Sequence, residues 1–377
     1  MQRFFKTSFL SNHQNQVEFI IFRSYINSMK TKALKYLSPL VLYLLALVSF
    51  SGKGIFTWLP LIYAWMLLPL TELLLRPDDK NMSEAEAELA GKDRLYDLML
   101  YIILPLQFGA LFYYLKVINQ NNLLWWETVG RILSMGLLCG TFGINVGHEL
   151  GHRVKKYEQF LAKALLMTSL YMHFFIEHNK GHHKRVATPQ DPSSARLNEP
   201  VYTFYFRTIV FSYISAWRIC NTEMRKKGLF LFHWKNEMLQ AHVFQLLFLM
   251  TIYFFFGWLV SAYFISAALV GIGLLETVNY IEHYGLQRKI TAEGRYERAM
   301  PNHSWNSNHL LGRLMLFELS RHSDHHYLAS RKYQVLKHHE RAPQLPTGYP
   351  GCMILSLLPP VWFYVMNRRI REMEKQY

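Results

Sequence analysis

Asn145 to His152 reads NVGHELGH. It closes a long apolar run and sets His148 and His152 four residues apart. On a continuing helix both imidazoles lie on one face, one turn apart, which is a metal-binding spacing. Two further clusters follow. His178, His182 and His183 stand in EHNKGHHK, and His322, His325 and His326 in RHSDHH. The three boxes read H-x3-H, H-x3-H-H and H-x2-H-H. One box could be chance. Three, on a chain this rich in apolar runs, argue for a metal cluster.

Working outward, 51% of the 377 residues are hydrophobic and the net charge is +15. The apolar runs argue for one membrane-embedded unit, not several soluble domains. Tyr36–Phe50, Ile55–Leu75 and Leu98–Leu115 precede a fourth run, from Trp125 to Val146, that ends at the first box. Lys30, Lys32 and Lys35 come just before the first run, so its N-terminus is cytoplasmic by the positive-inside rule. Ser51–Gly54 and Asn119–Asn122 read as external turns, and Arg76–Arg94 as a cytoplasmic loop. Val243–Val278 carries one charge, Glu276. It is too long for one crossing of a hydrocarbon core about 30 Å thick. Gly257-Trp258 near its middle divides it into two spans. The expectation is an all-α, polytopic membrane protein of about six transmembrane helices, with a His-rich metal site at the cytoplasmic end.

Between the fourth and fifth spans, Phe160–Phe175 and Val201–Trp217 read as interfacial or re-entrant helices. The segment 187–196, ATPQDPSSAR, reads as a turn-rich loop. Met353–Met366 is apolar but broken by Pro359-Pro360, and reads as interfacial. The organisation expected is an N-terminal extension of poor order over 1–32, a membrane-embedded domain over 33–350, and an interfacial segment with a basic tail over 351–377. The first 32 residues show no cleavable signal pattern, and Met29 is a candidate start. No nucleic-acid motif is present; the excess of Lys and Arg fits a cytoplasmic face on anionic lipid. Cys139, Cys220 and Cys352 have spacing for neither a disulfide framework nor a thiolate site.

The eight box histidines and His283, in NYIEHYG, make nine, which fits two ions better than one. Neutral imidazole suits zinc, copper, iron and nickel. A zinc site is satisfied by three or four ligands, so the number of imidazoles favours iron, in a pair with positions open to O2. Glu149, Glu177, Glu282 and Asp324 lie beside the boxes and are candidates to accept from ligand N–H groups. A carboxylate ligand among them stays open. His303 and His309, in NHSWNSNH, are weaker candidates, while His338 and His339 read as solvated or partner-facing. HELGH also matches H-E-x-x-H of zinc proteases, intramembrane ones included. That reading leaves two boxes and His283 without a role.

Taken together, HELGHR, EHNKGHHKRVATPQDPSSAR, NYIEHYGLQR, NHSWNSNH and LSRHSDHHY resemble, in order, the signatures of the membrane-bound alkane 1-monooxygenases. The likeness runs from about Tyr36 to Tyr327. The boxes alone are shared with membrane fatty acid desaturases and xylene monooxygenases, so oxidation of an acyl chain or an aromatic methyl is the alternative on this scaffold. The resemblance implies a six-helix protein of the bacterial inner membrane with a non-haem di-iron centre. It implies hydroxylation of the terminal carbon of alkanes with O2, and electrons from rubredoxin and rubredoxin reductase. It makes His148, His152, His178, His182, His183, His283, His322, His325 and His326 the iron ligands, and lifts His283 from a doubtful position. LSRHSDHHYLASRKYQ departs from the family's usual tail after the third box. Terminal selectivity asks for an apolar tunnel that presents only the chain end; Trp58, Tyr63 and Trp65 are candidates to limit chain length. Basic residues near the boxes, Lys332 and Lys337 among them, would steer an acidic donor.

Overall fold

The computed structural model describes residues 32–120 and 123–375. The extension expected over 1–32 falls almost wholly outside them, as do Asn121 and Asn122 of one expected turn. The described residues form helices and connecting turns, with two isolated bridges, Ile290 to Tyr296 and Asn306 to Gln344, in place of strands.

Five helices are long and apolar enough to cross a membrane: Lys32–Ser51, Gly54–Leu74, Arg94–Ile118, Trp125–Gly151 and Glu237–His283. The last has 47 residues. Straight, it would be about 70 Å long, more than twice the hydrocarbon core. It breaks at Gly257, whose φ of 82° and ψ of 178° suit a residue without a Cβ. The two halves fold back on each other. Phe248 and Phe264 stack edge to face at 5.8 Å, whereas a straight helix would part them by about 24 Å. Gln245 accepts from Met172 N and Glu276 from Tyr171 Oη, so distant points of the helix reach adjacent residues. The halves therefore make the fifth and sixth crossings, with the break at the Gly257-Trp258 expected to divide the run.

The second span carries both of its prolines. Pro69 cannot donate to the carbonyl of Trp65, and the helix widens into a π-turn over Tyr63–Leu67. The fourth span is the inner one; 78% of its most apolar window is buried. It meets the last span at very short range. A Cβ at Gly136 would stand 2.5 Å from Val270, and one at Gly271 2.6 Å from Cys139 Cβ. Small residues at such a crossing let two backbones approach closely. The most enclosed helix thus delivers the first box.

Val201–Lys226 is one helix of 26 residues, with Phe206 and Phe211 exposed and Phe204 and Cys220 buried. The C-terminal helices Tyr349–Ser356 and Pro359–Glu374 join a second core, where Trp362, Met366 and Ile370 pack with Tyr280, Tyr284 and Phe204. Pro359 and Pro360 start the last helix, where a missing N–H costs nothing.

Candidate metal centre

His148 lies on the last turn of the fourth span, with His152 as its C-cap, just after a π-turn over Cys139–Ile144. The second box sits in another π-turn, His178–His182. His283 ends the last span, and the third box forms the short helix His322–Tyr327. All nine imidazoles expected at the metal converge, and they divide. His148, His152, His178, His183 and His325 form one group; His182, His283, His322 and His326 form another. Within each, the candidate ligand atoms lie within 4.8 Å of one another.

In the group of five, the Nε2 atoms close a ring. The contacts His148–His152, His152–His178, His178–His183, His183–His325 and His325–His148 measure 3.1, 3.1, 3.0, 3.1 and 3.0 Å. Two nitrogens bound at right angles to one ion, each at about 2.1 Å, stand about 3.0 Å apart. Hydrogen bonding cannot account for the ring. Each neutral Nε2 is either donor or acceptor, and roles cannot alternate around an odd number of members. At least one contact would set like against like. A cation at the centre removes the conflict.

In the group of four, His182 Nε2 and both nitrogens of His326 are buried without a hydrogen-bond partner among the described residues. His283 and His322 bring their Nε2 atoms to 3.2 Å. Buried polar atoms are rarely left unmatched; here the convergence of unmatched nitrogens suits a second cation. Burial, and then the neighbouring imidazoles, hold His152, His178, His183, His322, His325 and His326 well below the usual histidine range. They are therefore neutral, the form that binds metal. Burial pushes His182 the same way, but Asp191 outweighs it and raises the group.

Both His-His pairs split between the two groups. His182 and His183 face different centres, as do His325 and His326. The i→i+5 bonding of the π-turn pairs His178 with His183, where an α-turn would have paired it with His182. His303 and His309 join neither group: His303 Nε2 lies 3.1 Å from Glu297, and His309 Nδ1 bonds Ser307 Oγ.

Of the four acids expected beside the ligands, Glu282 meets one. Its Oε2 lies 3.1 Å from His322 Nε2, and its Oε1 accepts from Tyr349 Oη. Glu177 accepts from Arg185. Glu149 accepts from Arg153 and from Tyr333 N, and Asp324 from Arg331, His339 and Lys337 N. Among the described residues none of these three bonds a box imidazole, because stronger donors have taken their oxygens. The same bonds remove Glu149 as a protease base, and they set His339, expected to be solvated or partner-facing, against Asp324. A second acid that holds a box histidine is Asp191, whose Oδ2 accepts from His182 Nδ1 at 2.8 Å. The reading of 187–196 as a loop missed it; the one signal was an acid a short way beyond the second box.

Two cavities lead inward. The outer one, about 590 Å³, is lined by Trp58, Trp65, Met66 and Val270 and rimmed by the exposed, apolar Leu357. The inner one, about 70 Å³, reaches Asn145, Val278 and Leu319, close in sequence to His148, Glu282 and His322. Trp65, Leu137, Leu274 and Met353 line both. Tyr63 lines neither; it packs against the main core. Helical spacing alone puts Tyr63 on the side away from Trp58 and Trp65. A third cavity, about 600 Å³, is strongly basic, with Lys184, Arg185, Arg218 and Lys226 in its wall and Asp191 at its lining.

The fatty acid desaturase family model matches residues 124–355, which hold all three boxes. Alkane 1-monooxygenase 2 of Pseudomonas aeruginosa is 40% identical over 83% of this chain and 84% of its own length. Alkane 1-monooxygenase 1 of the same organism is 41% identical over 80% of each chain. Alkane 1-monooxygenase 1 of Alcanivorax borkumensis is 38% identical over 87% of this chain and 81% of its own. With its spans, boxes and convergent imidazoles, this membrane protein belongs to the alkane 1-monooxygenases, within the fatty acid desaturase family.

Proposed function

We propose that the chain oxidises the terminal methyl of alkanes to primary alcohols with O2, at two iron ions. His148, His152, His178, His183 and His325 hold one ion, and His182, His283, His322 and His326 the other. The division of nine imidazoles into two convergent groups carries the reading. Iron bound there supplies O2 activation and C–H oxidation. The chain's own residues do the rest. Asp191 fixes the tautomer of His182, so that Nε2 offers its lone pair. Glu282, braced by Tyr349, sets a carboxylate against the same centre. Trp65, Leu137, Leu274 and Met353 form the passage between the cavities and admit an unbranched chain end-on. Their apolar lining excludes water.

The oxygenase unit spans 33–350 and lies in a bacterial inner membrane, with the boxes at the cytoplasmic end. The cationic bias of that end and the direction of the fourth span support this placement. The electron donor is rubredoxin, reduced by its reductase. What supports it is the basic cavity, whose lining Asp191 is one hydrogen bond from His182.

The test is metal analysis of the purified protein, then product analysis with octane, hexadecane and a fatty acid in the presence of rubredoxin and its reductase. Two irons per chain and 1-octanol are expected. Zinc in place of iron, or an unsaturated acid as the main product, would overturn the reading.

A further inference from the structure

The inner cavity has a largely apolar wall, in which Tyr349 has its hydroxyl engaged by Glu282, and one stretch of the fourth span adds two further polar side chains, Thr141 and Asn145. Asn145 is 5% exposed. Its Nδ2 donates to Leu316 O at 3.1 Å, and its Oδ1 is buried without a partner among the described residues. Thr141 is 8% exposed, and its hydroxyl makes no hydrogen bond among the described residues. Both lie within two turns of His148, in or directly after the π-turn Cys139–Ile144. An unmatched carbonyl oxygen in such a space is costly, and an alkane can satisfy neither group. A primary alcohol can satisfy both, because a hydroxyl carries one donor and two lone pairs.

We propose that Asn145 and Thr141 form a binding site for the hydroxyl of the primary alcohol product. The alcohol donates to Asn145 Oδ1 and accepts from Thr141 Oγ1, while its chain keeps the alkane's place in the tunnel. This rests on the alkane reading above. It makes the site selective by hydrogen-bond polarity. An ether of the same size offers Asn145 no proton, and a carboxylate would set acceptor against acceptor.

The experiment compares 1-octanol with heptyl methyl ether, which has the same number of heavy atoms, as inhibitors of octane turnover by the iron-loaded protein in nanodiscs. Thr141→Val removes no hydrogen bond seen in the structure; Asn145→Leu keeps the number of side-chain heavy atoms and gives up only the bond to Leu316 O. In the wild type, octanol should inhibit at lower concentration than the ether. Each substitution should raise the octanol Ki about five-fold, the effect of one net hydrogen bond, and leave the ether Ki unchanged. Dilution of both inhibitors into lipid is common to all variants and cancels. Thermal stabilisation by octanol, absent with the ether, should be lost in both variants. That arm needs no turnover, so it decides the site even if octane is not converted, a result that would overturn the functional reading instead. Equal inhibition and equal stabilisation by alcohol and ether would show that the orphan oxygen serves only a buried water, and would overturn the proposal.

Discussion

Asp191 Oδ2 lies 2.8 Å from His182 Nδ1, and Ser194 Oγ donates to the same oxygen at 2.6 Å. The carboxylate is thus fixed from both sides. Burial opposes its charge, but His182 and Ser194 hold it below the usual carboxylate range. Asp191→Asn keeps the shape and removes the charge. It should lower metal affinity at the four-imidazole centre by about ten- to a hundred-fold, as losses of such orienting partners do. Competitive metal titration of the variant checks this; unchanged affinity would show that the bond is not needed to hold His182.

His183→Ala and His182→Ala remove neighbours in sequence but members of different centres. Each should lose oxidation, with metal released from its own centre. Iron spectroscopy should then show two different residual signals. Identical spectra would mean that the two groups act as one site.

Charge reversal should separate two basic surfaces. Lys332 is paired with Asp97 and Lys337 with Glu84, so neither is free to greet a partner. Lys184, Arg218 and Lys226 line the basic cavity without an ion pair among the described residues. Lys184→Glu with Lys226→Glu should raise the apparent KM for rubredoxin and leave that for alkane unchanged. Turnover should also slow with salt, since the Debye length falls from about 10 Å at 0.1 M to about 3 Å at 1 M. Lys332→Glu should act instead through stability, by setting a like charge against Asp97. The reverse ranking would move the docking surface to the third-box side.

Trp65→Ala should widen the passage between the cavities and shift the product profile toward longer or branched alkanes, whereas Tyr63→Ala should leave it alone. Gas chromatography of products from a mixed alkane feed reads both. Equal profiles for Trp65→Ala and the wild type would place the tunnel elsewhere.

Much of this molecule was legible in its sequence. The run from Val243, with its single charge, and Gly257-Trp258 near its middle sufficed for the hairpin, because hydrocarbon thickness limits helix length. The nine imidazoles followed from spacing and from the family resemblance. Their partition did not. It turns on the π-turn at His178, a backbone irregularity that helical periodicity cannot show. Asp191 was hidden for a different reason: turn-forming residues around it suggest solvent, yet the loop folds inward and buries it to 1% exposure. Glu149 misled because Tyr333, whose N–H it accepts, comes from far along the chain, and Asp324 because the segment after the third box folds back so that Arg331, Lys337 and His339 take its oxygens.

The outer cavity is rimmed by Met66 and Leu357, both exposed on the apolar flank of the helices. Its mouth therefore samples solute dissolved in the bilayer. The concentration that governs turnover is the one in lipid, which for a long alkane exceeds the aqueous value by a factor that grows with every methylene, about 0.8 kcal/mol each. A preference for chain length measured against aqueous concentration thus mixes two quantities: the fit of the tunnel and the oil–water distribution of the substrate. Only rates normalised to the alkane content of the membrane will report the protein's own selectivity.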